Sequence, residues 1–252
     1  MTDVPAALTV SDVSKVYADH HEPTLALSGT SLAVGEGEFV CLLGRSGCGK
    51  STLLSLIAGL AAPTTGTIDT HGNRVGMMFQ DANLFPWLTV RGNIELALRL
   101  SGVPKADWPG RVAELLEIVQ LPDAAAKRPH QLSGGMRQRV ALARALAQDC
   151  RILLMDEPFG ALDALTRDAL HEEIERVWAA RGLAIVFVTH NVREAARLAD
   201  RVVVMSPSPG RIVEEVPIGL PRPREMSDAA VARLSGELHH VMDAYDTVRE
   251  AS

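Results

Sequence analysis

Short apolar runs alternate along the chain with stretches whose apolar positions recur every three or four residues, the rhythm of an α/β layered sheet. Leu8 to Val16, Leu25 to Val34 and Glu38 to Leu43 read as strands, the last two parted by the turn Gly35-Glu36-Gly37. A helix is expected from near Gly49 to about Ala58. Gly66 to Gly72 reads as a short strand and turn, and Val75 to Phe79 as a further strand.

The pattern changes after Asp81. Ile94 to Leu100 and Arg111 to Val119 have helical spacing, with Pro104 and Pro122 as breaks, so this stretch reads as a helical insertion. Beyond it, Ile152 to Met155 and Leu183 to Thr189 are continuous apolar runs of the kind buried in a parallel sheet. A helix from about Ala164 to Ala180, closed by Gly182, connects them. Arg201 to Met205 reads as the last core strand. Five of the 14 prolines fall between Pro207 and Pro223, which predicts an extended segment. Val231, Leu234, Leu238, Val241, Met242, Tyr245 and Val248 then form a helical stripe, expected to pack on its own domain or to serve a regulator or partner.

Composition narrows the classes. The 252 residues are 47% hydrophobic and 22% charged, proportions of a globular protein rather than a disordered or fibrous one. Lys and Arg number 25 against 31 Asp and Glu, a net charge of -6, which argues against a general nucleic-acid binder. The longest uncharged run, Ser51 to Ile68, is mostly apolar only over Leu53 to Ala62, whereas a membrane span needs about 20 such residues. The N-terminal residues lack a basic flank and an apolar signal core. Cys41, Cys48 and Cys150 are odd in number and form no CxxC pair, so unpaired thiols in a reducing compartment are expected.

Three segments point to phosphate chemistry. Gly44-Arg45-Ser46-Gly47-Cys48-Gly49-Lys50-Ser51 fits GxxxxGK[ST] and stands between a predicted strand and a predicted helix. Its glycines let backbone N–H groups turn toward phosphates, Lys50 can reach the β and γ phosphates, and the Ser51 hydroxyl can coordinate Mg²⁺. Arg151 to Pro158 is an apolar strand ending in two carboxylates. Asp156 suits Mg²⁺, and Glu157, one residue on, suits the polarisation of an attacking water. Ser133 reads as an N-cap, and Gly134 and Gly135 leave amides uncovered at the start of a helix running through Val140 to Leu146, a second anion site.

Taken in order, the phosphate loop, the Ser133-Gly-Gly135 element and Met155-Asp-Glu-Pro158 resemble the ATP-binding subunit of an ABC transporter. The resemblance covers about Leu8 to Pro217. Gln80 matches the Q-loop, Ala161-Leu162-Asp163 the D-loop, Thr189-His190 the switch histidine, and Tyr17 the aromatic position that stacks on adenine. Asn83 to Val90, Leu132 to Arg139 and Glu157 to Thr166 are similar to the nitrate, sulfonate and taurine import branch. Met136 departs from the glutamine commonest in the signature, but this branch often carries methionine.

The resemblance implies an α/β P-loop NTPase: a RecA-like core sheet with an antiparallel β subdomain and an inserted helical subdomain at about 81–150, with 218–252 as a C-terminal extension. It implies ATP and Mg²⁺ as cofactors, with ATP held by Tyr17, the loop Gly44 to Ser51, and Thr52. Ser51, Gln80 and Asp156 are the expected Mg²⁺ residues. Glu157, His190 and Gln80 are the expected catalytic ones. Ser133, Gly134, Gly135 and Met136, with Asp163, are expected to act on the nucleotide of a second copy packed head to tail. Two integral-membrane permease subunits and a soluble substrate-binding protein are the implied partners, at the cytoplasmic face of the inner membrane, with no nucleic acid.

Three rival readings share the phosphate loop. The stretch between Gln80 and Ser133 is too short for the coiled coil of a chromosome ATPase, and one phosphate loop argues against a two-domain translation factor. A soluble scaffold ATPase remains the alternative. Other features read as structural. The pairs His20-His21 and His239-His240 are expected to be solvated, since consecutive side chains do not converge on one metal. Met77 and Met78 read as core. Cys48 reads as a filler of a small-residue position, where alkylation would block ATP. Trp87 fits either the core or a contact with the membrane partner.

Overall fold

The computed structural model describes residues 5–18, 22–160, 162–207 and 209–250, the last five as backbone alone. His20-His21 and Ala161 lie outside the described residues. Along the chain come β1 (Ala6–Tyr17), β2 (Thr24–Gly35), β3 (Phe39–Leu43), α1 (Lys50–Ile57), β4 (Thr65–Asp69) and β5 (Val75–Met78). Three helices follow: α2 (Val90–Leu100), α3 (Trp108–Ile118) and α4 (Gly134–Leu146). Then come β6 (Ile152–Asp156), α5 (Ala164–Arg181), β7 (Ala184–Thr189), α6 (Val192–Leu198), β8 (Arg201–Ser206), β9 (Arg211–Pro217) and α7 (Ala229–Glu250). Among the described residues no helix is long and apolar enough to cross a membrane.

Residues up to Gly72 and from Ala184 onward form one compact unit. It holds an antiparallel sheet in the order β2-β1-β4. It also holds β3, which runs parallel to β7 on one side and β8 on the other. Every residue of β3 and β7 is buried, which is why both read as unbroken apolar runs rather than alternating ones. β9 pairs antiparallel with β8.

Two elements here differ from expectation. The strand at Arg201–Ser206 is not the last, because β9 follows it. Glu214, Glu215 and the terminal Pro217 disguise that strand as an extended polar tail, and such residues are tolerated at a sheet margin. Helix α6 was not foreseen either. It has only seven residues, and it buries Glu194 and Arg197 beside Ala195, Ala196 and Leu198, so no apolar stripe shows.

The terminal helix α7 packs on α6 and β8 of its own unit, with Val231, Ser235 and Leu238 buried. The segment before it is a clamp. The guanidinium of Arg224 is buried and donates to the carbonyls of Ala196, Arg197 and Ala199 at 3.1, 3.1 and 2.7 Å, and to Leu220 O. It thereby satisfies carbonyls that the end of α6 leaves without helical partners. Arg222 donates to Leu198 O and, at 2.8 Å, to Asp200 Oδ1.

Asn73–Leu183 form the other unit, in which β5 and β6 pair in parallel. Helices α2, α3 and α4 fall in the stretch where helical spacing predicts them. Thr89 caps α2, its Oγ1 accepting from Gly92 N at 3.1 Å. Asp163 caps α5, and Gly182 ends it in the left-handed region at φ 59°.

Candidate nucleotide-binding site

The phosphate loop grows out of β3. Buried on both flanks, β3 delivers Gly44 at its end, and α1 begins at Lys50. Gly47 and Gly49 have φ of 82° and 89°, where a side chain is strained, and a Cβ on Gly49 would also lie 2.6 Å from Leu27 Cδ2. Lys50 is buried and bends back over the loop, its Nζ donating to Gly44 O at 2.8 Å and Arg45 O at 2.9 Å. No side chain caps α1, and its first turn holds no acid, so the loop offers a positive helix end. Ser51 is exposed and Thr52 half-buried at its mouth.

Around this loop the same unit places three more features. Arg45 and Ser46 are exposed, and Arg45 Nη2 lies 3.7 Å from Asp243 Oδ1 on α7. Cys48 is buried as a small filler, and burial pushes its thiol pKa up, with Lys50 opposing. Tyr17, at the end of β1, keeps its ring exposed, with Lys15 Nζ 4.9 Å from the ring centroid. His190 follows β7 and is exposed. Thr189 Oγ1 donates to Glu194 Oε2 at 2.6 Å and accepts from Asn191 N at 3.0 Å, so both neighbours of His190 are fastened.

In the other unit β6 ends at Asp156, and Glu157 follows with φ 43°. A non-glycine residue in that region costs about 1–3 kcal/mol and is held there by its surroundings. Gln80 stands just after β5. A Cβ added to Gly160 would lie 3.4 Å from Gln80 Nε2, so the Gln80 amide rests beside the turn that carries Glu157. Gln80 O accepts from Gln138 Nε2 of α4 at 2.6 Å, and Arg144 of α4 donates to Ala82 O and Asn83 O at 2.9 and 2.6 Å.

Helix α4 therefore holds the loop after β5 with its body and presents its own start. Ser133 Oγ accepts from Met136 N at 3.2 Å, the cap expected from sequence, and the first turn has no acid. Ser133 is exposed, Gly134 and Met136 half-buried, and Gly135 buried.

A sequence profile described as ABC transporter matches residues 27–160, more than half of the chain. The chain belongs to the ABC transporter family. It is 44% identical over 225 residues to the nitrate import ATP-binding protein NrtD of Synechocystis sp., covering 86% of this chain and 85% of that protein. It is 47% identical over 236 residues to the aliphatic sulfonates import ATP-binding protein SsuB of Rhodopseudomonas palustris, covering 92% and 81%. An ATP-binding cassette solved as a dimer in a post-hydrolysis state, bound to ADP and Pi, superposes with TM-score 0.74 at 32% identity, over 86% of this chain and all of that one.

As an ABC ATPase cassette the chain has the expected P-loop NTPase fold class. Trp87 is not core: it is 66% exposed, its ring 5.4 Å from that of Phe85, whose backbone N donates to the buried Asn93. Met78 is buried and Met77 half-buried in β5. His239 is exposed and lies 3.6 Å from Asp243, and His240 is exposed. All three cysteines are unpaired and buried. Sequence reading missed Gly210, whose Cβ would lie 2.2 Å from Cys48 O, so the turn before β9 backs the phosphate loop. The dipeptide Pro209-Gly210 was the available signal. It also missed Gln138 and Arg144, which no motif marks.

Proposed function

We propose that this ABC protein is the ATP-hydrolysing subunit of an importer for a small anion or organosulfur solute, such as nitrate, an aliphatic sulfonate or taurine. The observation that carries the proposal is similarity along most of the chain to ATP-binding proteins named for nitrate and sulfonate import. That similarity favours an importer over a soluble scaffold ATPase. We retain 8–217 as the ATP-binding domain, with a helical subdomain at about 81–150 and the extension 218–252.

The donor set fits MgATP. The loop supplies a lysine already turned over it, and Ser51, Gln80 and Asp156 would hold Mg²⁺ through the oxygens a hard cation prefers. When bound, Mg²⁺ supplies neutralising charge at the β and γ phosphates. Lys50 exchanges the carbonyls of Gly44 and Arg45 for phosphate oxygens. Tyr17 stacks on the base. Glu157 accepts the proton of the attacking water, and His190 orients that water beside the γ-phosphate. One loop leaves the γ-phosphate open to solvent. Ser133, Gly134, Gly135 and Asp163 of a second copy close it and exclude water.

In the proposed importer two permease subunits carry the solute and hold this subunit at the cytoplasmic face, as the names of the import relatives suggest. Phe85 and exposed Trp87, near the Q-loop in sequence, are the proposed contact with them. A soluble substrate-binding protein completes the importer. Glu157→Gln is expected to lower ATP turnover by about 100-fold or more while MgATP still binds. Wild-type turnover in that variant contradicts the assignment of the base.

A further inference from the structure

Gly135, the second residue of α4, is buried against the first turn of α5. A Cβ built on it would lie 2.3 Å from Thr166 Cγ2, far inside van der Waals contact. That methyl is not free to move aside. Thr166 Oγ1 donates to Asp163 Oδ2 at 2.7 Å, and Thr166 N donates to Asp163 Oδ1 at 3.0 Å. Threonine has only staggered settings of χ1, so swinging the methyl away takes the hydroxyl off the carboxylate.

One side chain thus touches two features that lie far apart in sequence. Its hydroxyl sets the N-cap carboxylate of α5, and its methyl sits on the glycine start of α4. The adjacent Gly134 is closed off similarly, since a Cβ there would lie 3.4 Å from Leu162 Cδ2. Asp163 itself is exposed, and the Thr166 hydroxyl is the main cause holding its carboxyl below the usual range.

We propose that Thr166 is a positioning residue that locks Asp163 to the start of α4, so that the D-loop carboxylate and the amides of Gly134 and Gly135 meet the partner copy's nucleotide as one rigid surface. This rests on the head-to-tail reading above. It also gives Gly135 a second reason to lack a side chain, one that lies within its own subunit.

The test is ATP hydrolysis by the full-length chain as a function of protein concentration, for wild type, Gly135→Ala, Thr166→Ser, Thr166→Val and the double variant Gly135→Ala/Thr166→Ser. Unfolding temperature and MgATP affinity of the dilute protein are measured alongside. Gly135→Ala is expected to raise the protein concentration giving half-maximal turnover by about tenfold or more. Thr166→Ser removes the obstructing methyl and keeps both bonds to Asp163. Added to Gly135→Ala, it brings the concentration back to within about threefold of Thr166→Ser alone, a departure from additivity. Thr166→Val keeps the branched shape and removes the hydroxyl bond to Asp163 Oδ2, leaving only the backbone N–H bond to Oδ1. It raises the half-maximal concentration without weakening MgATP binding to the dilute protein.

A double variant as impaired as Gly135→Ala overturns the proposal, and so does a Thr166→Val protein that behaves as wild type. If Gly135→Ala does not fold, the contrast between Thr166→Ser and Thr166→Val decides alone: equal behaviour overturns it. Wild-type turnover per chain that is independent of protein concentration overturns the head-to-tail reading and this proposal with it. Concentration-dependent turnover without rescue overturns this proposal only.

Discussion

Cys48 shows how a residue inside a functional loop can be chemically quiet. Its thiol is buried beneath Gly44, where a Cβ would lie 2.6 Å from its sulfur, and Lys50 Nζ stands 3.6 Å away. Burial raises the thiol pKa more than Lys50 lowers it. Because the folded thiol titrates above the unfolded one, its protonation favours the folded loop at neutral pH, and that contribution fades as pH rises through the folded value. Iodoacetamide is therefore expected to alkylate Cys48 at pH 7.5 about tenfold or more slowly in the native chain than in urea, read by peptide mapping. Equal rates contradict the buried setting. Alkylation blocks ATP, on this account, only after the loop has opened.

Elements show which parts of the molecule were legible from sequence. The strands β3, β6 and β7 declare themselves as unbroken apolar runs, and α4 announces its start through Ser133. The candidate site residues have local patterns too: Lys50 opens the helix after β3, and Asp156 and Glu157 stand at the end of β6. What escaped depends on contacts between distant segments. Gly210 behind Cys48, Gln138 and Arg144 on the loop after β5, and Arg224 at the end of α6 bear no local pattern.

Arg224 makes the cost of such an invisible contact measurable. Its guanidinium serves the carbonyls of Ala196, Arg197, Ala199 and Leu220, all of which its removal leaves without that donor. Arg224→Met is expected to lower the urea stability of the unit by about 3 kcal/mol. A midpoint within error of wild type contradicts the clamp. The helix it secures begins two residues after His190, so the segment around Arg224 contributes to the footing of that histidine.

At the scale of the whole molecule, the family places this chain among ATPase cassettes, and one such cassette is solved as a dimer bound to ADP and Pi. The chain has two kinds of anion-seeking surface. One is the Lys50 loop with the uncapped start of α1, and the other is the capped glycine start of α4. On the head-to-tail reading proposed above, a single copy uses the first on its own nucleotide, and the second meets the nucleotide of another copy. On the function proposed above, closure does mechanical work on the permease and hydrolysis releases it. No residue here is expected to touch the solute, so selectivity resides in the partners.

Sedimentation velocity of purified Glu157→Gln protein, with and without saturating MgATP, tests this directly. The account predicts monomer without nucleotide and a two-copy species with it, and a shift back to monomer when Ser133→Arg is added to block the start of α4. A base-inactivated chain that binds MgATP and still sediments as a monomer, alone and beside its permease, contradicts it.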